Sequence, residues 1–130
     1  MELNAVRAHL QGPISSIKTP FAENFQVDHD ALHHQVQTLI KRGSKTALLT
    51  AGDSHLLSLV DAELVAVART VCAAAANKAM IVVADRGNTT AHAVEFARFA
   101  RGAGADMIMA LPPQWSAGST PESLAAHYAA

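Results

Sequence analysis

The chain has 130 residues, of which 50% are hydrophobic and 16% are charged, and its formal net charge is −1. This composition excludes a disordered chain, and the length suits one domain with a substantial core. A charge so close to zero gives no electrostatic case for a nucleic-acid or anionic-membrane partner. No apolar run reaches the roughly 18 residues of a membrane helix, so we expect a cytoplasmic protein. Cys72 is the single cysteine, which excludes an intrachain disulfide.

The first predicted strand covers residues 14–17 and is broken at Pro20, which cannot donate to a sheet ladder. Asp28 is a good N-cap, and the helix after it places apolar residues on one face, at Leu32, Val36, Leu39 and Ile40. Gly43 suits the position just after that helix. This segment therefore predicts a first strand–helix unit.

Three further units follow in the same alternation. Strands are predicted at residues 46–50, 80–84 and 107–111, and helices from about Asp61 to Asn77, from Thr89 or Thr90 to residues 102–104, and from Ser119 onward. The strand at 80–84 is apolar throughout, which indicates cover on both of its faces. The fourth helix has only begun where the sequence stops at Ala130.

Strict alternation of strands and helices predicts an α/β fold with a parallel sheet. It leaves open whether the chain is the N-terminal half, about four units, of a (β/α)₈ TIM barrel or a flavodoxin-like doubly wound sheet. A full barrel needs about 250 residues. In both architectures function lies at the carboxyl ends of the strands, which here are residues 19–21, 50–54, 84–88 and 112–115.

Several short motifs, in order and in register, resemble the dihydrodipicolinate synthase / N-acetylneuraminate lyase family. They are Thr19-Pro20-Phe21 with Val27-Asp28, Gly43, Gly52-Asp53 with Leu57-Ser58, Val82-Val83-Ala84 with Gly87-Asn88-Thr89-Thr90, Gly104-Ala105-Asp106, Pro113 with Trp115, and Glu122, Leu124 and His127-Tyr128. The resemblance covers nearly the whole chain.

The resemblance implies a (β/α)₈ barrel, a homo-oligomer in the full-length form, and no cofactor. It implies lyase or aldolase chemistry on a small 2-oxo acid such as pyruvate, through a Schiff base with lysine. In the family that lysine lies on the sixth strand and a catalytic tyrosine on the fifth. Neither strand is present, so we expect residues 1–130 to be one partial barrel domain, truncated in or near the fourth helix, with no catalytic residue and no activity alone.

The same resemblance implies that the loop after the second strand binds the substrate carboxylate. Thr50, Ala51, Gly52 and Asp53 stand where the family usually has Gly-Thr-Thr-Gly-Glu, and Ala51 lacks a hydroxyl for proton relay. Trp115 stands where the family usually has tyrosine and is predicted to form a wall of the pocket, although an indole cannot relay a proton. These departures indicate a divergent subgroup.

Two other candidate sites are weaker. Arg86, in the loop at residues 85–88, offers an anion contact, but a solvated loop is the favoured interpretation. His29 and His33 have the i, i+4 spacing of zinc ligands, yet no third ligand is convincingly spaced, so no metal is predicted.

Three functions therefore stand side by side. The first is a fragment of a Schiff-base lyase, and the second is a self-contained flavodoxin-like binding or regulatory domain. The third is a half barrel that pairs with a second half.

Overall fold

A computed structural model describes residues 2–87, 89–113 and 119–130. Four strands form one sheet, and the helices alternate with them. In chain order the elements are α1 (Leu3–His9), β1 (Ser15–Ser16), α2 (His29–Lys41), β2 (Thr46–Leu49), a 3₁₀ turn (Leu56–Ser58), α3 (Asp61–Ala75), β3 (Met80–Ala84), α4 (Thr90–Ala103), β4 (Met107–Met109) and α5 (Pro121–Ala129).

The strands lie in the order β1-β2-β3-β4, and each pairs in parallel with the next. A flavodoxin-like sheet has the order 2-1-3-4-5, because its chain reverses direction across the sheet. The flavodoxin-like alternative is therefore wrong. Sequential order is the arrangement of a (β/α)₈ barrel, in which each unit adds its strand on the same side of the previous one.

The core lies between the sheet and the helices. Alternate strand residues face α2, α3 and α4, and Leu49, Ile81 and Val83 are buried completely or nearly so. Opposite them, α3 contributes Leu64, Val67, Ala68 and Val71. The alanine-rich sequence of α3 lets that helix pack closely against both neighbouring helices and β3.

The helix boundaries agree closely with the sequence, because capping residues define them. The side chains of Asp28, Thr89 and Thr120 each accept a backbone N–H from the first turn of the following helix. Gly43 and Gly104 have φ of 92° and 97°, a conformation that favours glycine. In contrast, α1 and the 3₁₀ turn were not predicted.

Strand β1 is shorter than predicted, and a side chain of α2 bonds to the backbone directly after it. The Ile17 N–H bonds to the Leu48 carbonyl of β2 at 3.0 Å. The next N–H, that of Lys18, donates to Gln35 Oε1 of α2 at 3.0 Å. Strand β4 ends two residues earlier than predicted, at Met109.

At the opposite end of the sheet, a side chain of β2 bonds to the last residue of α1. The buried hydroxyl of Thr46, at the start of β2, donates to the His9 carbonyl at 3.0 Å. Within the described ranges no helix is long and apolar enough to cross a membrane.

Both outer strands have one edge that pairs with no other strand among the described residues. Unpaired parallel edges are templates for association. We expect the 130-residue polypeptide, expressed alone, to sediment as dimers or larger species in analytical ultracentrifugation. Met109→Lys, which adds a charge on β4, should increase the monomer fraction, whereas Ala91→Lys on the exposed side of α4 should not. A wild-type monomer with a sharp cooperative melt would contradict this expectation.

Candidate functional site

The candidate site is the loop of residues 50–54, which follows β2, and one buried hydroxyl holds it against β1. Ser54 is fully buried, and its hydroxyl donates to the Ile17 carbonyl and accepts the Thr50 N–H. The Thr19 hydroxyl, also buried, donates to the Ser54 carbonyl at 2.6 Å. Two hydrogen bonds therefore fix the loop to the residues directly after β1, and the third closes the loop on itself.

Several polar groups in this loop remain available to bind a ligand. Among the described residues, the Gly52 and Asp53 amide N–H groups form no hydrogen bond, and the buried Thr50 hydroxyl also has no partner. A Cβ atom built at Gly52 would meet nothing within 4 Å, so the backbone there is open to solvent. Two free N–H groups beside a hydroxyl suit a carboxylate oxygen as ligand.

The loop closes through a residue in an unusual conformation. His55 has φ of 56°, in the left-handed region that few non-glycine residues adopt. Its N–H donates to the Gly52 carbonyl at 2.9 Å, and its ring meets the Phe21 ring edge-on, with centroids 6.2 Å apart. This turn directs the chain from the loop into the 3₁₀ turn that precedes α3.

Asp53 is paired with a lysine from the neighbouring strand end. The Lys18 ammonium lies 2.8 Å from Asp53 Oδ1, and both side chains are about half exposed. The Lys18 ammonium, with a smaller effect from the Ser16 hydroxyl, lowers the pKa of the Asp53 carboxyl. Asp53 is therefore a carboxylate at neutral pH, and Lys18 is a cation at the mouth of the site.

Residues 85–87, the described part of the loop after β3, are largely buried, which corrects the solvated loop favoured from the sequence. Asp85 is 1% exposed, and its Oδ1 accepts the N–H groups of Gly87 and Leu111 at 3.1 and 2.9 Å. The Arg86 guanidinium donates to the Leu59 carbonyl at 2.8 Å and pairs with Asp61 at the start of α3. Arg86 therefore joins the loop after β3 to the start of α3, and its guanidinium is not directed at an anion in solution.

A buried histidine joins α5 to the strand ends. His127 is 8% exposed, and its ring nitrogens lie 2.9 Å from the Thr90 hydroxyl and 3.1 Å from the Leu111 carbonyl. It thereby connects α5, the start of α4 and the residues after β4. Trp115, the predicted pocket wall, lies outside the described residues.

The histidines of α2 form no metal site in the part of the chain that the structure describes, where no group of three potential ligands occurs. The His29 ring instead lies 2.9 Å from the Thr70 hydroxyl, and so joins α2 to α3. The single cysteine, Cys72, is buried in α3, and this burial raises the pKa of its thiol to about 11.

Two clefts of the described surface lie away from residues 50–54. One of about 280 Å³ lies between α3 and α4. Another, of about 290 Å³, lies between α4, β4 and α5. The loop after β2 is therefore an open polar edge within this chain rather than an enclosed pocket.

Comparison with known proteins agrees with this architecture. Residues 9–130 match the model of the dihydrodipicolinate synthetase family. The chain belongs to that family. It is 31% identical over 122 residues to the 4-hydroxy-tetrahydrodipicolinate synthase of Chloroherpeton thalassium, a match that covers 94% of this chain and 40% of that relative.

Solved structures of the family superimpose on the described fold. The dihydrodipicolinate synthase of Aquifex aeolicus matches with a TM-score of 0.83 at 26% identity, over 90% of this chain and 39% of that one. YagE of E. coli K12, solved in complex with pyruvate, matches with a TM-score of 0.80 at 22% identity, over 89% and 40%. The four units are thus the N-terminal half of a family barrel, and the chain spans about two fifths of the relatives' length.

The structure brings four of the five predicted site residues, Thr50 to Asp53, together in one loop. The sequence did not assign partners to them. Lys18, Ser54 and Asp85 were not among the five predicted site residues. A signal for Ser54 was present, because a hydroxyl residue four positions after a strand end can satisfy that strand's last N–H.

Removing the Ser54 hydroxyl should loosen the candidate site. Ser54→Ala leaves the buried Ile17 carbonyl and Thr50 N–H without that partner, so we expect a loss of about 1–3 kcal/mol in unfolding free energy, measured by urea titration. Ser58→Ala, in the exposed end of the 3₁₀ turn, is the control and should be nearly neutral. Equal stability of the two variants would contradict the positioning role of Ser54.

Removing the Lys18 cation should change the titration of Asp53. Lys18→Met should raise the Asp53 pKa towards its ordinary range, as followed by the carboxyl ¹³C shift against pH. Because the folded pKa lies below the unfolded one, the pair contributes stability above the ordinary Asp range and loses it as the pH falls through the folded pKa. That contribution should be small, since both groups are exposed.

The control for this titration is Lys41→Met, at the distant end of α2, which should leave the Asp53 pKa unchanged. An Asp53 pKa that is the same in Lys18→Met as in wild type would show that the pair does not persist in solution.

Proposed function

We propose that the protein to which these residues belong is a lyase or aldolase that acts on pyruvate or a related 2-oxo acid through a lysine Schiff base. The observation that carries the proposal is the loop after β2. It offers two backbone N–H groups and one hydroxyl that have no partner in the described part of the chain, at the functional edge of a barrel of this family.

In this proposal the loop holds the substrate carboxylate. The Gly52 and Asp53 N–H groups and the Thr50 hydroxyl donate to its oxygens, and Ser54 keeps them in place. Ala51 offers no hydroxyl, so proton relay at this position is not part of the proposal. The prediction from the sequence that Trp115 forms a wall of the pocket remains part of the proposal.

The imine-forming lysine lies outside these 130 residues. A primary amine condenses with the substrate carbonyl at C2 and water leaves. The protonated imine then withdraws electrons from the adjacent carbon, C3, and accepts the electron pair that is released when a C3–H or C3–C4 bond breaks. Lys18 is at the correct edge of the sheet, but it is ion-paired with Asp53 and is not the free amine that this step needs. Lys41, Lys45 and Lys78 lie in or beside other elements, at the ends of α2 and α3.

Two further features belong to the proposal. The protein is a cytoplasmic enzyme that needs no metal or organic cofactor, because the imine supplies the electron sink. It is a homo-oligomer in its full-length form.

Trapping of the imine tests the proposal. The complete polypeptide that the gene encodes is incubated with pyruvate and sodium borohydride, and the modified lysine is located by peptide mass spectrometry. We expect one adduct on a lysine outside residues 1–130, and none on the 130-residue polypeptide treated alone. No adduct in the encoded polypeptide, or an adduct confined to Lys18, would contradict the proposal.

The coding sequence beyond Ala130 supplies an independent check. Family barrels of about 250 residues need roughly a further half of their length, with a lysine at the end of the sixth strand. A stop codon directly after Ala130 would contradict the proposal that this polypeptide is a lyase.

A further inference from the structure

Lys18 lies on the same face of the sheet as the candidate site. Ile17 is fully buried in the core between the sheet and the helices, so strand alternation places Lys18, which follows it, on the opposite face. Leu49 is buried in that same core, and alternation likewise places Thr50 on the face of Lys18. Direct contact agrees with this placement, because the Lys18 ammonium lies 2.8 Å from Asp53 Oδ1. Lys18 therefore belongs to the surroundings of the proposed carboxylate-binding loop.

Asp53 brings a negative charge to the place where the proposed substrate carboxylate binds. Its own backbone N–H is one of the two that form no hydrogen bond with any described residue. A carboxylate bound there is therefore a close neighbour of the Asp53 carboxylate. Like charges separated by a few ångströms repel one another even in a hydrated site. Without a counter-ion, the loop that binds the substrate anion would also repel it.

We infer that Lys18 is a positioning residue for the substrate carboxylate, because its ammonium neutralises Asp53 and so lets the loop present its N–H groups to an anion. This inference rests on the proposed function, which places the substrate carboxylate on the loop of residues 50–54. Lys18 acts through Asp53 and needs no contact with the substrate. The same attraction lowers the pKa of the Asp53 carboxyl, since the ammonium stabilises its ionised form.

The two charges are presented from separately anchored backbone segments. The Lys18 N–H donates to Gln35 Oε1 of α2 at 3.0 Å, and the N–H of Ile17 before it bonds to β2 at 3.0 Å. Asp53 precedes Ser54, whose buried hydroxyl holds the loop against the residues after β1. This anchoring lowers the conformational entropy that is lost when two half-exposed side chains form a pair.

Borohydride trapping with two ligands tests the inference in the complete polypeptide that the gene encodes. Half-saturation is measured for pyruvate, which carries the carboxylate, and for pyruvamide, a neutral analogue of about the same size. Lys18→Met should raise the half-saturating concentration of pyruvate about fivefold, as an unbalanced unit charge a few ångströms away predicts. The value for pyruvamide should not change, which would also show that the variant is folded.

Three further variants separate this role from a structural one. Lys18→Arg keeps a cation and should retain most of the wild-type affinity for pyruvate. The double variant Lys18→Met/Asp53→Asn removes both charges but keeps the backbone N–H groups, so it should be half-saturated by less pyruvate than Lys18→Met alone. Lys41→Met, which removes a lysine at the distant end of α2, is the matched control and should behave as wild type.

The outcomes separate the two proposals. If no 2-oxo acid is trapped, the proposed function fails and this inference fails with it. If pyruvate is trapped with the same half-saturation in Lys18→Met as in wild type, only this inference is overturned. It is also overturned if Lys18→Met weakens the trapping of pyruvate and pyruvamide equally, because the lysine then acts on the structure of the site. The double variant decides even where pyruvamide is not trapped, since a value no better than that of Lys18→Met contradicts a role through Asp53.

Discussion

The buried Ser54 hydroxyl is the interaction on which the candidate site depends. It satisfies the Ile17 carbonyl of one strand end and the Thr50 N–H of the next, and the Ser54 carbonyl receives the Thr19 hydroxyl. A parallel sheet ends with backbone groups that no further ladder can satisfy. Ser54 replaces that missing ladder between β1 and β2. As a consequence, the Gly52 and Asp53 N–H groups form no hydrogen bond with any residue that the structure describes.

The same problem is solved differently between the other strands. Between β3 and β4 the Asp85 carboxylate accepts the Leu111 N–H, and the His127 ring lies against the Leu111 carbonyl. At the outer edge of β1, Gln35 accepts the Lys18 N–H. The carboxyl edge of the sheet is therefore assembled from side-chain hydrogen bonds. This leaves Thr50 and Asp85 each with one buried oxygen that the described residues do not satisfy.

Much of the fold could be read from local patterns. Strand β3 begins and ends where its apolar run does, and the helix starts at Asp28, Thr89 and Thr120 follow from their capping side chains. The errors occurred where tertiary contacts override the local pattern. Strand β1 covers two of its four predicted residues, and the Lys18 N–H beyond it bonds to Gln35 on the outer edge. Helix α1 has no buried residue and is fixed largely through its carboxyl end, so its seven residues carried little periodic signal.

The sequence by itself determined the fold class, the family and the place of the candidate site in the loop of residues 50–53. Periodicity, capping and short motifs are local properties, so they can be recognised without the tertiary structure. Only the tertiary structure decided between the two α/β architectures, since the order β1-β2-β3-β4 depends on long-range strand pairing. It also decided the partners of the site residues. The pairs Lys18–Asp53, Ser54–Ile17 and Asp85–Leu111 join residues 26 to 37 positions apart, and no local pattern encodes contacts over that separation.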